Sequence, residues 1–526
     1  MKILVAEKIA QKGIDTLIET GMEIDVKIGI PREELLATIK DYDAIIVRSV
    51  TKINEEFYEH ATNLKVVGRA GNGVDNIQME GATKRGIIVV NTPDANTVSA
   101  AEHTIGLLLA SGRNIPQANA LIKSKNWDRS RFTGVELLNK TVGIIGLGRI
   151  GSLVATRLQS FGMKVIAYDP YITDERFKKF GAEKKENLVD LVKESDFITV
   201  HTPKTDETFG IIGDEEFKIA KKGLRVVNCA RGGIIDEAAL ERALKSGIVA
   251  SAGIDVLVDE PHPVSPLIDI DSVVITPHLG ADTFEAQDNV GLTVAQEVIH
   301  ALRGEMVPNA VNLPTLQHND LENIKPYLSL GETLGKFYHQ LRKDSVNKIE
   351  IEYSGDVAKY ETSVITLSVL KGIFEPILKE QVNYVNARLI AKNRGVDVVE
   401  AKRSDVSNFL NLVKITITSK ERIFTIAGTI SGKGQGRVVE VNGYELDLSP
   451  SKYMIVAKNI DRPGIIGQVG TLLGVNKINI ATMQVSRNSM GDTALMFLTV
   501  DSDVPKHTLE LLTNIDGIVK VKFIRL

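Results

Sequence analysis

Short runs of β-branched and aliphatic residues alternate with amphipathic stretches through the first part of the chain. Residues 3–6, 44–47, 65–67 and 87–90 are such runs, and stretches such as 32–40 between them carry helical spacing. Apolar runs without polar alternation belong to strands covered on both faces, so the pattern predicts a parallel sheet of the doubly wound kind. A longer, mostly apolar helix follows over 100–113. A second series starts at Thr141 with TVGIIGLGRIG, then a helix and a strand over 165–168. Further strands are expected at 197–200, 225–228, 250–256 and 273–276, with a helical pattern over 237–245. Residues 284–303 read as one long amphipathic helix. The stretch VPNAVNLPTL over 307–316, with two prolines and two asparagines, reads as a linker.

From about 316 to 448 the pattern changes. Strand-like alternation lies at 348–353, 414–419 and 423–431, and helical stretches near 360–378 and 383–394, which together predict an α+β domain. The last part is more regular: strand 453–460, helix 463–473, strands 480–487 and 494–501, helix 505–515, strand 519–524. That order, βαββαβ, is the ferredoxin-like arrangement. The expected division is 1–97 with 285–310, 98–284, 311–450 and 451–526.

Composition narrows the class. The chain has 526 residues, 43% of them apolar and 25% charged, and 43 glycines against 16 prolines, as expected of a soluble protein of several domains. Lys plus Arg (63) nearly balances Asp plus Glu (67), for a net charge of −4. No cationic field draws it to nucleic acid or to a membrane surface. The one cysteine, Cys229, excludes an intrachain disulfide framework and a multi-cysteine zinc site, and fits a reducing compartment. The start, MKILVAEKIA, lacks a signal-peptide pattern, and no apolar run approaches the ~20 residues that span a bilayer. A cytoplasmic protein without a metal is expected.

Gly146-Leu147-Gly148-Arg149-Ile150-Gly151 matches G-x-G-x-x-G. It follows the apolar strand 142–145 and opens a helix, and the next strand ends at Asp169. Gly146 and Gly148 allow a tight turn and close approach to a pyrophosphate, and Gly151 lets helix and strand pack. The helix start presents free N–H groups to phosphate. Asp169 is suited to accept hydrogen bonds from a ribose diol and to repel a 2′-phosphate, which favours NAD over NADP. The expected fold is therefore α/β: two Rossmann-like doubly wound lobes, then an α+β domain and a ferredoxin-like domain.

In such sheets ligands sit beyond the carboxyl ends of the strands. One strand end offers Arg231 after Cys229-Ala230, another Asp255 with Glu260 beyond it, and a third His278. Oxidation of a 2-hydroxy acid needs a proton acceptor and an anchor for the carboxylate. His278 suits the first, Arg231 the second through a bidentate fork, and Glu260 orients and tunes the imidazole. His201, also at a strand end, is expected in the adenine pocket or the fold, and Cys229 as a packed or cofactor-wall thiol.

Residues 1–310 resemble the D-2-hydroxyacid dehydrogenase family. The resemblance is carried by VGRAGNGVDNI from Val67, NTPDANTVSAAEHTIGLLLA from Asn91, NKTVGIIGLGRIG from Asn139, NCARGGIIDEAAL from Asn228 and ITPHLGADTFEAQ from Ile275. The whole chain is similar to the long branch of that family, which oxidises D-3-phosphoglycerate with NAD at the entry to serine biosynthesis. The resemblance implies a catalytic triad at Arg231, Glu260 and His278, and cofactor contacts at Arg149, Ile150, Asp169, Thr202, Ala230 and Asp255. It also implies an intervening regulatory domain and a C-terminal ACT domain. Asn72 departs from the threonine that similar enzymes often carry. Two rivals share the fold: another D-2-hydroxyacid dehydrogenase, and a non-enzymatic, NAD-sensing co-repressor.

A phosphorylated substrate needs further cations. Arg48 and the backbone at Gly71 are the expected contacts, with Asn96 assisting; Arg69, Arg129 and Arg131 are alternatives that also read as solvated charge. In similar dehydrogenases the residue before Arg-Pro-Gly and an asparagine at the next strand contact L-serine. They map to Asp461 and Asn479, in a homodimer or homotetramer.

Overall fold

The short apolar runs become parallel strands because helices cover both of their faces. In a computed structural model, described for all residues except 263, 306, 315–317, 343, 379–381, 404–408, 421 and 488–491, the first sheet has the strand order Glu23–Val26, Lys2–Val5, Ala44–Val47, Val66–Arg69, Ile88–Val90. All of its pairings are parallel. Ile3, Val5 and Ile46 pack on one face against Val290, Val294 and Val298 of the helix Phe284–Leu302, while Leu4, Ile45 and Val67 fill the other face. Strand Glu23–Val26 does not follow from the hydrophobic pattern. It is an edge strand without a buried residue, so its side chains carry no core signature.

The second sheet runs Glu183–Lys184, Lys164–Tyr168, Thr141–Ile145, Phe197–Val200, Leu224–Asn228, Val249–Ile254, Val273–Ile275, again all parallel. The order reverses between Thr141–Ile145 and Phe197–Val200, and that switch point opens a crevice beyond the strand ends. Two stretches of chain join the lobes. One leads from Val90 into the helix Thr97–Arg113; the other runs from strand Val273–Ile275 into the helix Phe284–Leu302 on the first sheet. After it the chain stays on the first lobe, with Asn91 N–H donating to Asn309 O (3.2 Å) and Val311 N–H to Val89 O (2.7 Å).

The expected linker over 307–316 is therefore mostly packed structure. Val307 and Ala310 are buried in the first lobe, and the Asn312 side chain accepts from Val89 N–H and donates to Ile87 O in the manner of a neighbouring strand. Both asparagines of that stretch supply side-chain hydrogen bonds here, Asn309 donating to Glu297 Oε1 (2.9 Å). Its last two residues lie outside the described ones.

The third sheet is mixed, in the order Asp397–Arg403, Lys348–Gly355, Asn411–Thr418, Ile423–Ile430, Gly436–Val441, Tyr444–Leu448. Helices His318–Leu341 and Ser363–Leu378 belong to its core. The 24-residue helix His318–Leu341 is absent from the sequence pattern, which Pro326 and two glycines interrupt. The fourth sheet, Ile480–Arg487, Thr493–Val500, Tyr453–Ile460, Ile518–Arg525, is antiparallel and ferredoxin-like. Its strands bury both faces: Ile455, Ala457 and Met496 lie under its own helices, and Met454, Val456 and Phe497 join the core of the third sheet. Among the described residues no helix is long and apolar enough to cross a membrane.

Candidate active site

At the switch point the three glycines of the turn meet three different demands. Gly146 has φ +90, and a Cβ on it would lie 2.8 Å from the carbonyl oxygen of His201. A Cβ on Gly151 would lie 2.1 Å from the carbonyl oxygen of Gly146, so the helix could not pack so closely. Gly148 caps the helix Arg149–Ser160 and faces open space, leaving the first turn's N–H groups accessible. Asp169 Oδ2 accepts from Leu147 N–H (2.9 Å) and Oδ1 from Tyr171 N–H (3.1 Å), so this carboxylate holds the turn and keeps lone pairs to spare. Arg149 is paired with Asp94 (2.6 Å). The Thr202 hydroxyl is buried beside Gly146 without a partner. An orphaned hydroxyl, a cradle that no Cβ could enter and an open helix start fit a dinucleotide.

The crevice widens into a cleft of about 2610 Å³ lined from both lobes, and Ile150, Thr202, Ala230 and Asp255 are in its wall. His278 stands on one side with φ +57, a conformation that non-glycine residues adopt mainly where surroundings enforce it. Its Nδ1 lies 2.7 Å from Glu260 Oε2. A carboxylate only accepts, so Nδ1–H donates and Nε2 is free to exchange a proton in the cleft. Burial alone would raise the Glu260 carboxyl, but the His278 hydrogen bond and the Leu257 N–H outweigh it and hold it below the usual range. Glu260 thus stays ionised, as an orienting partner must.

Arg231 faces this pair from the turn after strand Leu224–Asn228. Asn228 braces the turn, accepting from Ala230 N–H and donating to Arg231 O. The guanidinium donates to Ala230 O (2.7 Å) and, across the cleft, to Asp75 Oδ2 (3.2 Å). A Cβ on Gly73 would lie 1.9 Å from Arg231 Nη2, and one on Gly71 1.5 Å from Arg69 Nη1. Glycines in RAGNG therefore make room for two guanidiniums. Arg48, Gly71 and Asn96 line the same cleft, and the buried Asn96 Oδ1 has no partner. Arg69 is the cation that sequence reasoning did not select. Burial, then repulsion from Arg231 and Arg48, pushes it down to about 10, and its Nε is buried without a partner. Arg48, Arg69 and Arg231 set three guanidiniums against Asp75 in this part of the wall, a local surplus of positive charge, whereas carboxylates such as Asp259, Glu260 and Asp282 line the cleft elsewhere. Arg129 and Arg131 are exposed and outside its wall.

Asp255 lies beneath the His278 loop, fully buried. Its carboxylate accepts from His103 Nε2 (3.1 Å), Thr276 Oγ1 (2.6 Å), Leu279 N–H (2.8 Å) and Gly280 N–H (2.9 Å). His201 lines the cleft and bonds Thr199 Oγ1 (3.0 Å). Cys229 is in the wall too, and burial pushes its thiol up to about 12, so it stays protonated and is no nucleophile.

Residues 105–280 match the family described as D-isomer specific 2-hydroxyacid dehydrogenase, NAD binding domain. Residues 323–442 match the D-3-phosphoglycerate dehydrogenase intervening domain, and 453–517 the ACT domain. The chain is 46% identical to the D-3-phosphoglycerate dehydrogenase of Methanocaldococcus jannaschii over 100% of both chains. It belongs to the D-3-phosphoglycerate dehydrogenase family. Its similarity to the Bacillus subtilis enzyme of that name is 43%, covering 100% of this chain and 99% of that one. Among solved structures, D-lactate dehydrogenase of Aquifex aeolicus, complexed with NAD and lactic acid, superposes with a TM-score of 0.53 at 28% identity. That match covers 60% of this chain and all of the other. The cofactor is NAD.

In the ACT domain Asp461 follows strand Tyr453–Ile460 and accepts from Arg487 Nη1 (3.3 Å), while Asn479 donates to Asp501 Oδ2 (2.6 Å). A groove of about 670 Å³ in this domain is walled by Gly464, Gly467, Gln468 and Leu472 among others, and includes neither.

Proposed function

We propose that the chain oxidises D-3-phosphoglycerate to 3-phosphohydroxypyruvate with NAD, opening the phosphorylated route to L-serine. The turn with Gly146, Gly148 and Gly151, helped by Arg149, Ile150, Asp169, Thr202, Ala230 and Asp255, holds the cofactor, which when bound supplies the two-electron acceptor. His278 Nε2 takes the proton of the C2 hydroxyl. Glu260, on the other nitrogen, steadies the ring and the charge that it gains. The Arg231 fork holds the carboxylate and polarises the forming carbonyl. Arg48, the Gly71 backbone and Asn96 receive the phosphate, where the surplus of guanidinium charge favours a doubly charged group. The observation that carries this reading is the 2.7 Å bond from His278 Nδ1 to an ionised Glu260 in a cleft between two lobes that also holds Arg231.

His278→Ala is the test. It is expected to lower kcat by ~10²–10⁴-fold while NADH binding, followed by fluorescence, persists. Near-native turnover in that variant would remove His278 as acid and base. Rates with glycerate and lactate beside 3-phosphoglycerate check the substrate, which is expected to be preferred for its phosphate.

The same reading assigns L-serine to the ACT domain, through Asp461 and Asn479, in a homodimer or homotetramer located in the cytoplasm. It keeps 1–97 with 285–310, 98–284, 311–450 and 451–526 as the domain limits.

A further inference from the structure

His278 adopts a left-handed backbone conformation, so its place depends on what holds the loop around it. His278 N–H donates to the carbonyl oxygens of Asp255 (2.9 Å) and Thr276 (3.0 Å), and the next two N–H groups, of Leu279 and Gly280, end on the Asp255 carboxylate. The Asp255 side chain is the post to which the loop is tied. Two side chains in turn fix that post. Thr276 lies on the same strand end as the loop and moves with it. His103 comes from elsewhere: it stands on the helix Thr97–Arg113, whose Ala101, Leu107 and Leu108 are packed into the core of the second lobe. Its Nε2 lies 3.1 Å from Asp255 Oδ1 and 3.0 Å from Thr276 Oγ1. The carboxylate can only accept and the threonine proton points to it (2.6 Å), so His103 Nε2 carries a proton shared between the two oxygens.

We infer that His103 is a positioning residue for the reaction: its Nε2–H ties the Asp255 carboxylate, and with it the strained His278 loop, to the helix Thr97–Arg113 in the core of the second lobe. What it supplies is one N–H donor at a fixed place, not a proton to the substrate. The inference rests on His278 being the acid and base. Displacing such a group by a fraction of its working distance lowers the rate of the chemical step more than it weakens binding.

Four full-length variants separate the possibilities: His103→Leu, His103→Gln, His103→Asn and His278→Ala. The glutamine amide places an N–H near the position of imidazole Nε2, whereas the shorter asparagine does not reach it. His103→Leu is expected to lower kcat about tenfold, in the range of other partners that orient a catalytic ligand, with KM for 3-phosphoglycerate and for NAD within about twofold of native. His103→Gln is expected to stay within about threefold of native kcat, and His103→Asn to resemble the leucine variant. Native kcat in His103→Leu, equal losses in the glutamine and asparagine variants, or a change confined to KM would each overturn the inference. If the leucine variant does not fold, the glutamine–asparagine difference decides alone. His278→Ala is read separately: its retaining activity would remove the acid–base reading, whereas its loss beside an unaffected His103→Leu would remove the positioning role only.

Discussion

Three histidines of this protein sit in three electrostatic settings. His278 is paired with an ionised carboxylate, and His103 donates to another. His201 is half-buried in the cleft wall, where its ring bonds the Thr199 hydroxyl and no carboxylate is paired with it among the described residues. Burial without a compensating charge pushes His201 down to about 4, from 6.5 in an exposed peptide. Between those two values the unfolded chain binds a proton that the folded chain refuses, so stability rises with pH through that window and is lost as the pH falls. The gap corresponds to on the order of 3 kcal/mol. The denaturation midpoint is therefore expected to fall between pH 7 and pH 5, and His201→Gln to flatten that slope. An unchanged slope in the variant would show that other groups set it.

At the scale of elements, the helices His318–Leu341 and Ser363–Leu378 show what packing can override. Pro326, Gly331 and Gly335 weaken the first helix by propensity. Yet the glycines are what let the pair approach. A Cβ on Gly372 would lie 2.2 Å from the Glu332 carbonyl oxygen, and one on Gly335 2.5 Å from that of Val369. Beside this contact Glu332 is bridged to Lys336 (2.7 Å) and Lys371 (2.9 Å). Because the neighbours are backbone atoms, an added side chain cannot be absorbed by a rotamer change. Gly372→Val is expected to destabilise the intervening domain by about 1–3 kcal/mol. Differential scanning calorimetry would register this as a lower transition temperature, and a native thermogram would contradict it.

For the whole molecule the question is how a ligand far from the cleft reaches it. The ACT and intervening domains share one core and are further tied by Gln340, whose amide exchanges two hydrogen bonds with the backbone of Arg525. A change in one therefore loads the other. The intervening domain touches the catalytic half where Asn383 Nδ2 donates to Gly86 O (2.6 Å), at the turn before strand Ile88–Val90. A serine effect requires that the ligand bind one conformation of the assembly better than another. Couplings of ~1–3 kcal/mol change affinity about 5–150-fold. Millimolar L-serine is expected to lower activity, and Asn479→Ala to abolish both that response and the binding heat in calorimetry. If the native protein neither binds nor responds to L-serine, the assignment of Asp461 and Asn479 falls.

What the sequence determined by itself is what is local in the chain or periodic along it. Strands buried on both faces are legible as unbroken apolar runs such as Ala44–Val47, and Gly146–Leu147–Gly148 to Gly151 is legible because the whole turn lies in six consecutive residues. Strand ends with Arg231, Glu260 and His278 could be named because a parallel sheet puts its ligands there. The edge strand Glu23–Val26 has no such signature, since a strand without a buried face has no reason to be apolar. Only the tertiary structure decided the rest. It buried the Arg69 Nε without a partner by wrapping its own loop around it, and gave Asp255 four donors, three from residues 276–280 and the fourth, His103, from far off in sequence. It set His103 under the His278 loop and made the glycines of His318–Leu341 a packing surface. Each of these depends on which distant atoms come within a few ångströms, and a close approach across the fold leaves no period in the chain.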